Sequence, residues 1–319
     1  MNIVFLDTVT MGGDISSRKI KSMYEDFGMV TLYENTAQDK VSDRIVDADI
    51  VVMNKCALRA EALKSAKNLK LICVCATGYD NVDLDYCRNN GIAVCNVRNY
   101  STDSVAQVTV AMALSLVCGL RSYTRYVNSG SYAASGSPNY LLPVYHEISS
   151  MKWGIVGMGS IGRKIAEIAK ILGAEVVTYT RSDSYGYKSI DIDSLCSECD
   201  IISLHVPLSA ETRNLINADR LKLMKDSAIL INVARGAVVD EEAVADAVIS
   251  GSIGGIGIDV YSNEPIERNS PYHRLYGMDN VIFTPHMSWG AYEARIRCLE
   301  IVRNNIRSFI DGENENRIV

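Results

Sequence analysis

Gly154-Ile155-Val156-Gly157-Met158-Gly159-Ser160-Ile161-Gly162 decides how the rest of the chain reads. Trp153 to Val156 form a short apolar run, and Ile161, Ile165, Ile168 and Leu172 then recur at helical spacing, so the stretch is a strand turning into a helix. Gly157, Gly159 and Gly162 stand in the turn as G-x-G-x-x-G. The first glycine permits the tight turn, the second lets a pyrophosphate approach the backbone, and the third lets helix and strand pack closely, with the phosphate at the positive helix end. A second strand, Glu175 to Thr180, follows at the distance where a dinucleotide site places its ribose-reading side chain.

Outward from that turn, the rhythm of strand and helix runs through the whole chain. Further strands are expected near Ile201–His205, Ala228–Asn232, Ile256–Val260 and Val281–Thr284, completing a six-stranded dinucleotide fold. Upstream, strands near Ile3–Leu6, Val30–Tyr33, Ile50–Met53, Leu71–Val74 and Ile92–Cys95 alternate with helical segments, which predicts a second parallel sheet covered on both faces. The fold class is therefore α/β, with two Rossmann-like domains. Val105–Leu120 is too short for a membrane span and reads as a helix buried between domains. Ser129–Pro143, rich in Gly, Ser, Pro and Tyr, reads as a surface loop or subunit contact. The helix Ala291–Ile310, with Leu299, Val302, Ile306 and Ile310 on one face, is expected to return to the first domain and make it discontinuous.

Bulk properties narrow the partner. A chain of 319 residues with 48% hydrophobic and 22% charged residues has the composition of a globular α/β protein, and its net charge of −6 supplies no basic surface for nucleic acid or an anionic membrane. A small molecule is the expected ligand. Met1–Asp7 reads as a first strand rather than a signal sequence, which makes the cytoplasm the expected compartment. The nine cysteines lie mostly in apolar runs and read as buried hydrophobes; Cys196 and Cys199 form a C-x-x-C with no second pair at zinc spacing, so no metal is expected.

Three strand ends carry polar residues that packing does not require: Asn232-Val233-Ala234-Arg235-Gly236, Asp259-Val260-Tyr261-Ser262-Asn263-Glu264-Pro265 and Thr284-Pro285-His286. An arginine, a carboxylate and a histidine beside a nicotinamide are what carbonyl reduction needs. Arg235 would fix a 2-oxo acid and polarise its carbonyl, His286 would give the proton as hydride arrives, and Glu264 would keep the imidazole charged and oriented. In the first domain the same strand-end rule points to Asn54-Lys55 and to Ala76–Asn81, where the N–H groups of Thr77 and Gly78 could hold a carboxylate.

With these blocks the chain resembles the D-isomer-specific 2-hydroxyacid dehydrogenase family along essentially its whole length, closest to the glycerate dehydrogenase and hydroxypyruvate reductase branch. The matching stretches are Ala76–Asp83, Tyr100–Gln107, the glycine turn, His205–Leu208, Asn232–Gly236 and Thr284–His286. The resemblance implies a substrate domain from residues 1–98 plus 290–319, flavodoxin-like, and a dinucleotide-binding domain from 99–289. It implies the catalytic trio Arg235, Glu264 and His286, with substrate contacts from Lys55, Thr77, Gly78, Tyr79, Arg235 and His286. Tyr100 and Trp289 are expected to join the pocket lining. Cofactor contacts are implied for Gly157, Met158, Gly159, Ser160, Ile161 and Gly162, for His205, Val206 and Pro207, for Val233 and Ala234, and for Asp259 at the nicotinamide carboxamide. It further implies a homodimer through the cofactor domains and reduction of hydroxypyruvate or glyoxylate. An NAD(H)-sensing corepressor on the same fold is the alternative. Where many relatives end the second strand with Asp, this chain has Thr180-Arg181-Ser182, so use of NADP alongside NAD is the expectation.

Overall fold

The structure is a computed structural model describing residues 1–319. It divides into two compact units, Met1–Ser101 with Gly290–Val319, and Thr102–Trp289.

The first unit holds β1 (Asn2–Phe5), β2 (Met29–Leu32), β3 (Ile50–Met53), β4 (Leu71–Val74) and β5 (Ala93–Cys95), hydrogen-bonded in the order β2-β1-β3-β4-β5. Every pairing is parallel, and the order is the flavodoxin-like one. β3 and β4 are buried at each position, because helices cover both faces of a parallel sheet. The helix Tyr292–Ile310 packs on β4, and the Tyr24 hydroxyl donates to the Leu299 carbonyl at 2.7 Å. Leu299, Val302 and Ile306 are buried as the spacing requires, whereas Ile310, expected on the same face, is 45% exposed. The chain turns just beyond it at Gly312 (φ 79°) and brings Ile318 and Val319 back onto the core. There Ile318 N–H donates to the Val94 carbonyl at 2.7 Å.

The second unit holds β6 (Lys152–Val156), β7 (Glu175–Tyr179), β8 (Lys188–Ser189), β9 (Ile201–Leu204), β10 (Ile229–Asn232), β11 (Gly255–Ile258) and β12 (Val281–Phe283), in the order β12-β11-β10-β9-β6-β7-β8. Counted from β6 this is the doubly wound order 3-2-1-4-5-6 with one more strand at the edge. The six-stranded expectation missed β8, two exposed polar residues that give no alternation to read. The winding reverses at β6, which has β7 on one side and β9 on the other. Ligands of such sheets bind at this switch point, beyond the carboxyl ends of the strands.

The apolar helix, Thr102–Val117, packs on β10 to β12 and on the helix Ser160–Ile171 of its own unit. Gly257 lets it lie close: a Cβ there would be 3.0 Å from Met112 Sδ. Ser129–Pro143 is not wholly loop, since a short helix, Ser131–Ser135, follows Leu120–Asn128. The segment is exposed but ordered by its own aromatics, with Tyr126 and Tyr140 stacked at 3.9 Å and Tyr123 edge-on to Tyr140 and Tyr145. No single helix is long and apolar enough to cross a membrane.

Candidate active site

The glycine turn gives each glycine a separate steric reason. Gly157 sits at φ 96°, and a Cβ on it would meet the His205 carbonyl oxygen at 2.8 Å. A Cβ on Gly162 would lie 1.9 Å from the Gly157 carbonyl oxygen, so the helix can approach the strand only without one. Gly159 has nothing within 4 Å of such a Cβ and is exposed. It is the one glycine of the three whose bareness serves nothing inside the protein. The helix Ser160–Ile171 begins there with no side-chain cap and no acidic residue in its first turn. Uncapped N–H groups, a positive dipole end and an open Cβ position fit a dinucleotide pyrophosphate. Met158 is 2% exposed and belongs to the core.

Beyond β7, the Thr180 and Ser182 hydroxyls lie 3.0 Å apart, and the Ser182 N–H donates to Thr180 Oγ1. The Asp183 carboxylate turns onto its own turn, accepting the Tyr185 N–H at 2.7 Å. Arg163 stacks over the Tyr185 ring at 4.4 Å, pinning this loop to the glycine helix. Beyond β9, both ring nitrogens of His205 are sealed from solvent without a partner, and burial pushes its pKa down to about 3. It is a neutral imidazole in an apolar seat. Val233 and Ala234, beyond β10, are 9% and 8% exposed.

His286 and Glu264 come together, with Nδ1 and Oε2 2.6 Å apart. An ionised carboxylate only accepts, so Nδ1 carries the hydrogen and Nε2 remains for proton transfer. The histidine stands at φ 51°, an uncommon conformation for a side-chain-bearing residue. Asp259 explains how it is held. This fully buried carboxylate accepts from Thr284 Oγ1 at 2.5 Å, Met287 N–H at 2.9 Å and Ser288 N–H at 3.0 Å, while its backbone carbonyl accepts the His286 N–H. Asp259 is thus the staple of the histidine turn.

The Glu264 loop is tied as firmly. Glu264 Oε1 accepts the Tyr261 N–H, Glu241 accepts the Ser262 N–H at 2.7 Å, and the Tyr261 hydroxyl donates to the Thr284 carbonyl. Arg235 is exposed, and its guanidinium donates to the Ala234 carbonyl at 2.7 Å. Asn232 fixes its loop by donating to the Arg235 carbonyl and accepting the Ala234 N–H. Gly236 presses against the backbone of Tyr261 and Ser262, so the arginine and glutamate loops touch main chain to main chain.

In the first unit, the buried carboxylate of Asp7 accepts the N–H groups of Asn54, Lys55 and Cys56, at 2.6 Å for Lys55. Asn81 donates to the carbonyls of Asn54 and Cys56, tying that turn to the Thr77 loop. Thr77 donates its hydroxyl to the Val97 carbonyl, and Asn96 donates to the Thr77 carbonyl. The N–H groups of Thr77 and Gly78 are given to no acceptor within the chain. Lys55 and Tyr79 are exposed. Tyr100, expected to line a pocket, is 5% exposed, and its carbonyl takes the Arg297 guanidinium.

Sequence reading missed Asp7, Asn81, Glu241 and the stapling job of Asp259. Acid or amide at a strand end was the available signal, but only geometry says which N–H groups it serves. Cys196 and Cys199 are packed in the core, their thiols pushed up to about 12 by burial.

Comparison with known proteins agrees with this arrangement. Residues 110–288 match the family model described as D-isomer specific 2-hydroxyacid dehydrogenase, NAD binding domain. The chain is 34% identical over 316 residues to the glycerate dehydrogenase of Methylorubrum extorquens, covering 98% of each. It is 33% identical to the hydroxypyruvate reductase of Blautia hydrogenotrophica, covering 99% of each. Among solved structures, the D-lactate dehydrogenase of Aquifex aeolicus complexed with NAD and lactic acid superposes with a TM-score of 0.86 at 28% identity, over 100% of this chain and 99% of that one.

Proposed function

Because the chain belongs to the D-isomer-specific 2-hydroxyacid dehydrogenase family, whose members are nicotinamide-dependent oxidoreductases of 2-hydroxy acids, we propose that it reduces hydroxypyruvate or glyoxylate to the corresponding hydroxy acid. The observation that carries this reading is the 2.6 Å His286–Glu264 pair on adjoining strand ends of a sheet whose first turn fits a pyrophosphate. A bound nicotinamide supplies the hydride to C2 of the oxo acid. Glu264 holds Nδ1–H of His286, so Nε2–H gives its proton to the carbonyl oxygen, and in the reverse direction Nε2 takes it back. The planar fork of Arg235 suits the adjacent carboxylate and carbonyl oxygens of a 2-oxo acid. The N–H groups of Thr77 and Gly78 are suited to a carboxylate, with Tyr79 next to them in sequence and Lys55 on the turn that Asn81 ties to their loop to read the side chain.

Cofactor choice follows from the end of β7. Without an acid at Thr180, nothing at that position repels a 2′-phosphate, and Arg181 with the Thr180 and Ser182 hydroxyls offers it a cation and donors. NADP is used alongside NAD on this reading. Two copies associate through the second unit, a reading supported by Leu141, Leu142 and Val144, which are 69%, 57% and 69% exposed on the tyrosine-ordered segment. A steady-state assay of NADH and NADPH oxidation across a panel of 2-oxo acids tests the function. His286→Ala should lower the chemical rate by about 10²–10⁴-fold while cofactor still binds. Tight cofactor binding with no turnover of any 2-oxo acid would instead favour the sensing module.

A further inference from the structure

The acid missing from the end of β7 has a counterpart one loop away. β7 and β9 flank β6, so the loops leaving them border the glycine turn from its two sides. The β9 loop places Glu211 Oε2 3.9 Å from Arg181 Nη1. Both side chains are mostly exposed, so the pair adds little to stability. Its position is nevertheless prepared. Ser209 donates its hydroxyl to Glu211 Oε2 at 2.6 Å, the Ser209 N–H donates to Thr212 Oγ1 at 2.7 Å, and Thr212, 5% exposed, donates to the Pro207 carbonyl at 2.7 Å. The Ser209 hydrogen bond above all, with Arg181 contributing, holds the Glu211 carboxyl below its usual range, so it is charged at neutral pH. Asp183, the other nearby acid, is turned onto the Tyr185 N–H.

We propose that Glu211 is the residue that sets the preference between the two nicotinamide dinucleotides, by competing with a 2′-phosphate for Arg181. This rests on the reading that Thr180-Arg181-Ser182 receives that phosphate. A nucleotide with free 2′- and 3′-hydroxyls leaves the Glu211–Arg181 pair alone. A 2′-phosphate must draw Arg181 away from Glu211 and tolerate a fixed negative charge close by. The discrimination is electrostatic, acts across two loops, and weakens as salt rises. Glu211 is thus a discriminating residue distinct from the strand-end position that ordinarily holds the acid.

The test uses adenosine 2′,5′-bisphosphate and AMP as probes, so that binding is read without turnover. Calorimetric Kd values are measured for the full chain, for Glu211→Gln, for Arg181→Ala and for the double variant. Glutamine keeps an acceptor for Ser209 but no charge. The bisphosphate-to-AMP affinity ratio should rise about three- to tenfold in Glu211→Gln at low salt, with the gain shrinking towards unity at high salt. In the Arg181→Ala background the same substitution should change the ratio less than twofold, because the competition is for that arginine. The kcat/KM ratio for NADPH over NADH should move in the same direction. An unmoved ratio in Glu211→Gln overturns the proposal, as does an undiminished effect without Arg181. If Arg181→Ala leaves the ratio of the otherwise native chain unmoved, it is the phosphate reading of Arg181 that fails.

Discussion

Substituting Gly236 by alanine should damage catalysis through contact between two loops, without touching any reacting group. A Cβ at this position would lie 2.0 Å from the Tyr261 carbonyl carbon, 2.1 Å from the Ser262 nitrogen and 2.4 Å from the Tyr261 oxygen. A Cβ keeps at least 3.0 Å from such atoms, so one main chain has to retreat from the other by about 1 Å. The retreat is transmitted, because the Tyr261 N–H is bound to Glu264 Oε1 and the Ser262 N–H to Glu241. Glu264 then no longer meets His286 Nδ1 at 2.6 Å in the same orientation. A misplacement of about 1 Å costs roughly 10²-fold in rate, and overpacking of this kind destabilises by about 1–3 kcal/mol. Single-turnover stopped flow with saturating reduced cofactor reads the chemical step, and the cofactor Kd confirms an intact second unit. Gly13→Ala is the control, as a Cβ there has nothing within 4 Å. A folded Gly236→Ala protein with a single-turnover rate within about threefold of wild type would refute the reasoning.

Other expectations follow from the same geometry. Gly159→Ala meets no protein atom, so thermal stability should hold while cofactor Kd rises by about tenfold or more; unaltered cofactor affinity would remove the phosphate role from Gly159. Arg235→Lys should raise KM and lower kcat together, since an ammonium cannot copy a two-pronged contact, and wild-type kinetics would make the arginine structural only. His205 has a folded pKa of about 3 against an unfolded value of about 6.5, so its contribution is complete above pH 6.5 and is lost as pH falls towards 3. From this residue alone, stability at pH 5 should be about 2 kcal/mol below that at pH 8. Urea unfolding of the wild type and of His205→Gln at both pH values checks this: equal pH dependence in the two proteins would mean the imidazole titrates freely when folded.

The elements that sequence exposed are those whose signal is local. The G-x-G-x-x-G turn, the fully apolar β3 and β4, and the polar strand ends at Arg235, Glu264 and His286 announce themselves by composition and spacing. What stayed hidden is set by residues far apart in the chain. Asp7 serves three N–H groups about fifty positions away, and no local pattern shows that the oxygens of Asp259 hold Thr284, Met287 and Ser288. β8 escaped because two residues cannot carry a period. Glu211 lies three residues beyond the His205–Leu208 stretch and outside any motif, and its partner Arg181 is on a different strand end.

The turn at Asn54–Cys56 already contains its anion, since Asp7 occupies the hollow that three successive amides make. No acid from solution can use those amides, so the backbone of this turn is closed to a substrate carboxylate. The Thr77–Gly78 amides on the next strand end are the opposite kind of group, fixed in direction and tethered through Asn81 and Asn96. On the proposed function, the rigid grip would take the portion of a substrate series that never varies, its carboxylate, and leave the variable portion to the side chains around it. That division would let one chain accept 2-oxo acids of unequal length without rebuilding its floor for each.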